Sequence, residues 1–402
     1  MNNRKAFSLI EVIIVLAIIG ILAGLAVPAA LRLFEVTAEE TTRQEMDNIK
    51  RAILGDARKL QSSFRSDFGY IGDIGCLPDD LRRILLNPPP PPPVLPALPT
   101  WTFDSTKQTG AGWKGPYITG AATGQEVEEF TKDQWGNDYT YTVTGGPCPP
   151  APTGMTATLT SGGANLGSTA DDIIISIVAG ETTATVRGTV KNTAGAGLAA
   201  VSVELYSAVN AAVTTTTATT DANGNYSVTS VPFGQRAVMA NPTGLVLVSG
   251  SVTVSNGDAT NDNVNFQVIN YTASPITVGR ITVNCVGTLA TRYDDIRVGT
   301  SGTDLSGANN IVCAPTQTQI TLSTSQTVPA NSTPPSSLRV VVDSADTQLP
   351  DFTLRGGGIM TFRIEEFETA AGSVDMSGGQ TITVSFFTTL GVLISTVTVV
   401  TP

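Results

Sequence analysis

Between Val12 and Leu31 the sequence runs for twenty residues without a charge, VIIVLAIIGILAGLAVPAAL. As a helix rising about 1.5 Å per residue, this run spans roughly 30 Å, the hydrocarbon thickness of a bilayer. Arg4 and Lys5 lie before it and Glu35, Glu39 and Glu40 after it. Positive charge stays on the cytoplasmic side, so the spacing predicts an N-terminus inside and the remainder outside. A cleaved signal peptide places its small-residue cut after the apolar core, whereas the Ala6–Phe7 junction here precedes it. A plain anchor would leave Glu11 unexplained. A carboxylate in an apolar segment costs about 2.5–3.5 kcal/mol on insertion scales, so it marks function.

Composition removes several classes of activity. Among 402 residues there is no histidine, which excludes His-based triads, His-ligated zinc and a histidine general base. A net charge of −11 lacks the electrostatic footprint of a nucleic-acid binder. With 41% hydrophobic and 14% charged residues, the chain has material for packed cores. The four cysteines (Cys76, Cys148, Cys285 and Cys313) form no C-x-x-C pair. In an exported chain they read as structural disulfides, with three pairings open.

The string Lys5-Ala6-Phe7-Ser8-Leu9-Ile10-Glu11-Val12 resembles the class III leader of type IV prepilins and type II secretion pseudopilins. The resemblance implies a leader of residues 1–6, cut between Ala6 and Phe7 by a prepilin peptidase that also methylates the Phe7 amine. Ala6 stands where the family usually has Gly. Glu11 becomes the fifth mature residue, the family's acid position, and Pro28 falls where the family has a helix-breaking proline, with Gly20 upstream. In a staggered stack, Glu11 of one subunit reaches the Phe7 amine of its neighbour. The pair satisfies two charges otherwise buried alone and sets register. The implied partners are identical or related pilin subunits, the peptidase, an inner-membrane assembly platform and, before assembly, the bilayer.

Thr42, Met46, Ile49, Ile53, Ala57 and Leu60 recur at helical spacing, which predicts one helix over residues 7–62 with a membrane span at about 7–31 and a stripe that seats a globular head. Cys76 to Leu81 predicts a short second helix ending at Asn87, and Pro88–Pro93 predicts a polyproline II rod. Three strings resemble the major pseudopilin of type II secretion: Gly112-Trp113-Lys114-Gly115-Pro116-Tyr117, Asp133-Gln134-Trp135-Gly136-Asn137-Asp138-Tyr139, and the loop from Ser161 to Ile173. The last is similar to a calcium loop, which implies structural Ca2+ with Ser161, Asn165, Asp171 and Asp172 as candidate ligands. Asn165 supplies an amide where the family has a carboxylate, and an ordinary Gly/Asn/Asp turn remains the alternative. Tyr139–Val143 and Ile173–Ile177 read as strands, completing a head over 63–180.

After residue 180 the composition turns to Thr, Val, Ala, Gly and Asn with turn signals about every ten residues, the spacing of β-sandwiches. Val186–Leu205, Thr220–Tyr226 and Val231–Gly234 resemble carboxypeptidase-regulatory-like (Cna-B-like) domains, which gives a module at 181–268. Lys191 is expected in a turn, so no Lys–Asn isopeptide bond is expected. Residues 269–402 are expected to form a second sandwich of no recognised family, and Asp294-Asp295 and Glu365-Glu366 read as solvated loop or strand-edge charges. Each cysteine pair inside one unit, Cys76–Cys148 and Cys285–Cys313, is then the expected link.

The fold expected is α+β: a long N-terminal transmembrane helix with a pilin-type α/β head, then two all-β sandwich-like modules. The function expected is a structural subunit of a type IV pilus-like filament, most like the major pseudopilin of type II secretion. It is not an enzyme and has no catalytic cofactor. It sits single-pass in the inner membrane and then in a periplasmic or surface filament. The alternative is a surface-displayed pilin or tip adhesin whose β modules bind a protein or glycan.

Overall fold

Helix α1 spans Leu9–Leu54 in the structure, a computed structural model. The described residues are 9–118, 130–144, 154–241, 244–248, 250–255, 262–299, 302, 304–307, 310–313, 319–332 and 335–402. Within α1, the side chains at positions 23, 25, 26, 28, 29 and 31 lie outside this description. Thr42, Met46, Ile49 and Ile53 are buried, as their spacing predicts. The helix stops short of the expected residue 62 because Gly55 turns left-handed at φ +82° and donates its N–H to the Arg51 carbonyl at 2.7 Å. A Cβ there would sit 2.3 Å from the Asp67 carbonyl oxygen, so only glycine fits this helix end. Ala57 and Leu60 therefore leave the stripe and are exposed.

Helix α2, Gly69–Ile74, precedes Cys76. The helix expected from Cys76 to Asn87 is only a 3-10 turn at Leu81–Ile84, started by Asp80, whose carboxylate accepts the Arg82 N–H at 2.9 Å. The proline run is not a polyproline II rod. One nitrogen, Arg82 Nη1, donates to the carbonyls of both Pro90 (2.8 Å) and Pro92 (2.7 Å). In a three-residue-per-turn helix, carbonyls two apart diverge by about 120° and could not share one donor.

A hairpin of β1 (Thr102–Asp104) and β2 (Thr109–Ala111) follows. Then β3 (Thr140–Thr144), β4 (Thr156–Ser161) and β5 (Ile173–Ile177) form an antiparallel sheet. Met155, Ala157, Leu159, Ile173 and Ile177 close one core with Met46, Ile49 and Ile53 of α1 and Tyr70, Ile71 and Ile74 of α2.

From residue 183 onward the described chain is β, in sandwich-like sheets. In β6 (Thr183–Lys191), Ala184, Val186 and Val190 alternate inward. β7 (Ser202–Val209) and β8 (Ala212–Thr219) form a hairpin whose two-residue tip, Asn210-Ala211, has positive φ at both positions. β9 (Asn225–Pro232) pairs with β6, and β10 (Gly234–Asn241) with β7. Next come β11 (Leu245–Leu247), β12 (Asn263–Asn270), β13 (Ile276–Asn284), β14 (Asp295–Val298) and β15 (Ile320–Val328). They are followed by β16 (Leu338–Val342), β17 (Asp346–Gln348), β18 (Phe352–Thr353), β19 (Gly358–Glu365), β20 (Thr381–Phe387) and β21 (Leu393–Val400).

The expected boundary at residue 268 does not separate two modules, because the strands interleave across it. β11 and β12 pair with each other, and β12 pairs with β19 from Val264↔Ile364 to Asn270↔Gly358, so both belong to the later sheets. In return, β16 pairs with β10, and β17 and β18 run parallel to β6. Val340, Val342, Leu349 and Leu354 thereby enter the core of Val186, Val203 and Val238. Lys191, expected in a turn, ends β6 and pairs with Asp351 at 2.6 Å.

The acidic pairs are not simply solvated. β14 and β19 place Asp295 opposite Glu365 and Arg297 opposite Arg363. Glu365, with its side chain 8% exposed, is bridged by Arg297 at 2.8 Å and Arg363 at 2.7 Å. Cross-strand register, invisible in a single strand, gathers these charges into a half-buried cluster.

Candidate functional site

The N-terminal half of α1 is apolar on every side. Consecutive residues advance about 100° around a helix. Val12, Ile13, Ile14, Val15 and Leu16 are 47–62% exposed, so no face is spared. Leu33, Phe34 and Val36 continue the exposure to 65–72%. A helix hydrophobic all round is stable only when other apolar matter covers it. Among the described residues no helix is long and apolar enough to cross a membrane, the six side chains named above falling in the middle of this run.

Glu11 lies in the first turn of α1, exposed, where its charge complements the helix N-terminus. Gly20 has open space around it, with no atom within 4 Å of a built Cβ. At Pro28 the helix continues without interruption. Ala6 and Phe7 lie outside the described residues.

The two loops that resemble pseudopilin turns meet at Asp133. Its buried carboxylate accepts the N–H groups of Trp135 (3.0 Å) and Asn137 (2.8 Å) through Oδ1, and the Ser161 hydroxyl (2.6 Å) through Oδ2. Asn165 Oδ1 accepts from Gly167 N–H, and Asp171 Oδ2 accepts from Asn165 N–H at 2.8 Å. Ser161, Asn165 and Asp171 thus take part in the hydrogen bonds that shape these loops. Among the described residues no group of three or more acidic or cysteine side chains is gathered to hold a metal. Calcium takes six to eight oxygens, amide and main-chain oxygens among them, so a site here would rest on the carboxylates of Asp171 and Asp172 with neutral donors around them. We propose that Asp171 and Asp172 hold structural calcium, so chelation is expected to lower the melting temperature and added calcium to restore it. An ion at a hundredfold excess over its Kd would contribute about 2.7 kcal/mol, a shift of several degrees, so a melting temperature indifferent to both would leave only an ordinary turn.

Cys285 and Cys313 are bonded, closing a loop of 28 residues that restrains the unfolded chain by about 3.5 kcal/mol. Cys76 is also disulfide-bonded, and Cys148 lies outside the described residues.

A feature missed in the sequence is the joint between the helical part and the first sandwich. Arg236 is 1% exposed and donates to the carbonyls of Pro232 (3.0 Å), Phe233 (2.6 Å) and, across the joint, Gly72 (2.8 Å). Burial pulls it down to about 10, opposed by Asp73, so it keeps its charge at neutral pH. Ala211 N–H at the β7–β8 tip bonds the Ile74 carbonyl at the end of α2, and Lys50 pairs with Glu181 at 2.8 Å. Gly75 packs so closely that a Cβ would lie 1.8 Å from the Ala208 carbonyl oxygen. Alternation along β10 carried a signal, since Arg236 shares the inward phase of Val238 and Ala240. The Gly112–Tyr117 string also serves packing: Trp113 Nε1 donates to the Arg83 carbonyl at 2.9 Å, and Tyr117 sits edge-on to Tyr70.

Residues 1–27 match the prokaryotic N-terminal methylation motif, and residues 185–268 match the carboxypeptidase regulatory-like domain. No curated protein matches the chain. Among solved structures, it is similar to the full-length major pilin SpaD from Corynebacterium diphtheriae. That likeness has 12% identity, covers 56% of this chain and 66% of the other, and has a TM-score of 0.23. Another similar structure is BcpA, the major pilin subunit of Bacillus cereus, with 11% identity, coverage of 55% and 69%, and a TM-score of 0.15. The chain spans about two thirds of the length of each. Scores of this size carry no argument about fold.

Proposed function

We propose that this chain, which carries an N-terminal methylation motif ahead of a carboxypeptidase regulatory-like domain, is a structural subunit of a type IV pilus-like filament. The observation that carries the reading is α1, whose first half exposes apolar side chains on every face while its second half is built into a core. A bilayer covers that first half before assembly, and the helices of neighbouring subunits cover it afterwards. Glu11 then pairs with the Phe7 amine of the next subunit. The role is structural, in the inner membrane as a single pass and then in a periplasmic or surface filament.

Two versions differ in where the filament stands. The Trp113–Tyr117 and Asp133–Tyr139 strings favour a type II secretion pseudopilus. The β-rich body from Thr183 onward favours a displayed pilin, because such bulk is awkward in a confined periplasm. Deleting the gene separates them: lost secretion supports the first version, and lost surface fibres with intact secretion the second.

Processing tests the common reading. Mass spectrometry of membrane-extracted protein is expected to show a mature chain beginning at methylated Phe7. Ala6→Phe is expected to block the cut by overfilling the small-residue pocket of the peptidase. An intact leader, or a cut after Leu31, would remove the filament assignment.

A further inference from the structure

Where α2, the β1–β2 hairpin, β10 and β16 meet, the surface encloses a cavity of about 550 Å³. That lies within the roughly 300–1,000 Å³ of small-molecule sites, which favour junctions between structural units. Alternation places Trp101 and Phe103 on one face of the hairpin, ring centroids 6.4 Å apart. Each ring holds a cation: Lys114 Nζ is 4.9 Å from the Trp101 centroid, and the Arg339 guanidinium is 5.0 Å from that of Phe103. Gln108 Oε1 steadies Arg339 by accepting from Nη2 at 3.1 Å and Nε at 3.2 Å. Both cations stand exposed at the rim. Arg236 lies deeper with its donors committed to carbonyls, so it contributes charge alone.

Asp73 is the one acid among the described lining residues. Three cations against one carboxylate make a positive spot on a chain whose net charge is −11. Such a spot selects an anion. The volume is too large for an inorganic one, and the wall also offers the Asp73 carboxyl and the Tyr117 hydroxyl beside two aromatic rings, while the Gln108 amide is already bonded to Arg339 and to the Ser105 carbonyl.

We propose that this junction cavity binds a polyhydroxylated carboxylate, a single acidic sugar residue, with its carboxylate between Lys114 and Arg339 and its hydroxyls toward Asp73 and Tyr117. The site is complete only when β16, from late in the chain, has docked on β10. It stands whether or not the chain assembles. Burial raises Asp73 to about 6, with Lys114, the Tyr117 hydroxyl and Arg236 pulling against it and Asp67 adding to it. Below that pH the carboxyl carries a proton it can donate to the ligand; above it the carboxylate repels the ligand's own. Binding therefore weakens as pH rises through 6.

The test is calorimetric titration of the detergent-solubilised full chain with sodium glucuronate, glucose, glucosamine and sodium acetate in parallel. Glucuronate is expected to bind at pH 5, with glucose and acetate each at least about tenfold weaker (about 1.4 kcal/mol) and glucosamine absent. Raising the pH to 8 or adding salt is expected to weaken glucuronate binding. Lys114→Met with Arg339→Met is expected to remove it, and Lys114→Arg to keep it. Should the double variant melt early, Lys114→Gln alone serves: weaker binding at an unchanged melting temperature supports the site. Glucose or acetate equal to glucuronate, no heat at either pH, or variants with unaltered affinity would overturn the proposal.

Discussion

Replacing Glu11 by alanine is expected to abolish filaments while the protein stays at normal levels in the membrane. Glu11 is exposed in the first turn of α1, and among the described side chains the first buried one of the helix is Thr42. At about 1.5 Å per residue the two lie roughly 46 Å apart, so no core of the body depends on the carboxylate. Its removal makes insertion into the bilayer easier by about 2.5–3.5 kcal/mol. In the proposed filament the loss would fall on the other partner, since a Phe7 ammonium left alone between apolar helices costs about 3–5 kcal/mol per contact. That exceeds a hundredfold per step and repeats at every subunit. Glu11→Gln is expected to be nearly as poor, because an amide keeps the shape without neutralising the amine. Fibre counts by electron microscopy beside membrane-fraction blots decide it. Abundant fibres from the Glu11→Ala strain would end the charge-pairing mechanism, and lost membrane protein would show that Glu11 acts in insertion or folding.

A fragment of residues 181–268 is expected not to fold, although a family model matches 185–268 within it. Cutting there strips β16 from β10 and β17 and β18 from β6. It also removes Val340, Val342, Leu349 and Leu354 from the core, each 0–7% exposed. Losing a buried aliphatic side chain costs about 2–5 kcal/mol, so four cost about 8–20 kcal/mol, as much as the whole 5–15 kcal/mol stability of a typical domain. β12 would meanwhile lose β19 and leave an apolar edge open. Circular dichroism of the fragment is expected to show no cooperative melt, whereas 181–402 melts cooperatively. A sharp transition from 181–268 would show that the first sandwich is closed without its late strands.

Local pattern made much of this chain legible. The stripe from Thr42 to Ile53 is a helix face because helical period and apolar spacing coincide there. The strand over Ile173–Ile177 lies where β-branched residues and flanking turns predict it. The pairing of Cys285 with Cys313 follows from nearness along the chain. Failures of local pattern are also local in kind: the apolar period runs on to Leu60, but left-handed Gly55 ends the helix where the Asp67 carbonyl leaves no room for a side chain.

Distance along the chain hid the rest. That β16 to β18 leave their neighbours to complete an earlier sandwich depends on hydrogen-bond partners about a hundred residues away or more. Nothing in LRVVV distinguishes a strand that joins β10 from one that joins β20. The same return brings Arg339 beside Phe103 and closes the cavity around Asp73. The N-terminal helix is the opposite case. Its length, its charge asymmetry and Glu11 are properties of consecutive residues, legible one turn at a time. A sheet reads its strands by which edge is still unpaired when they arrive, and that is settled only by the packing of the whole molecule.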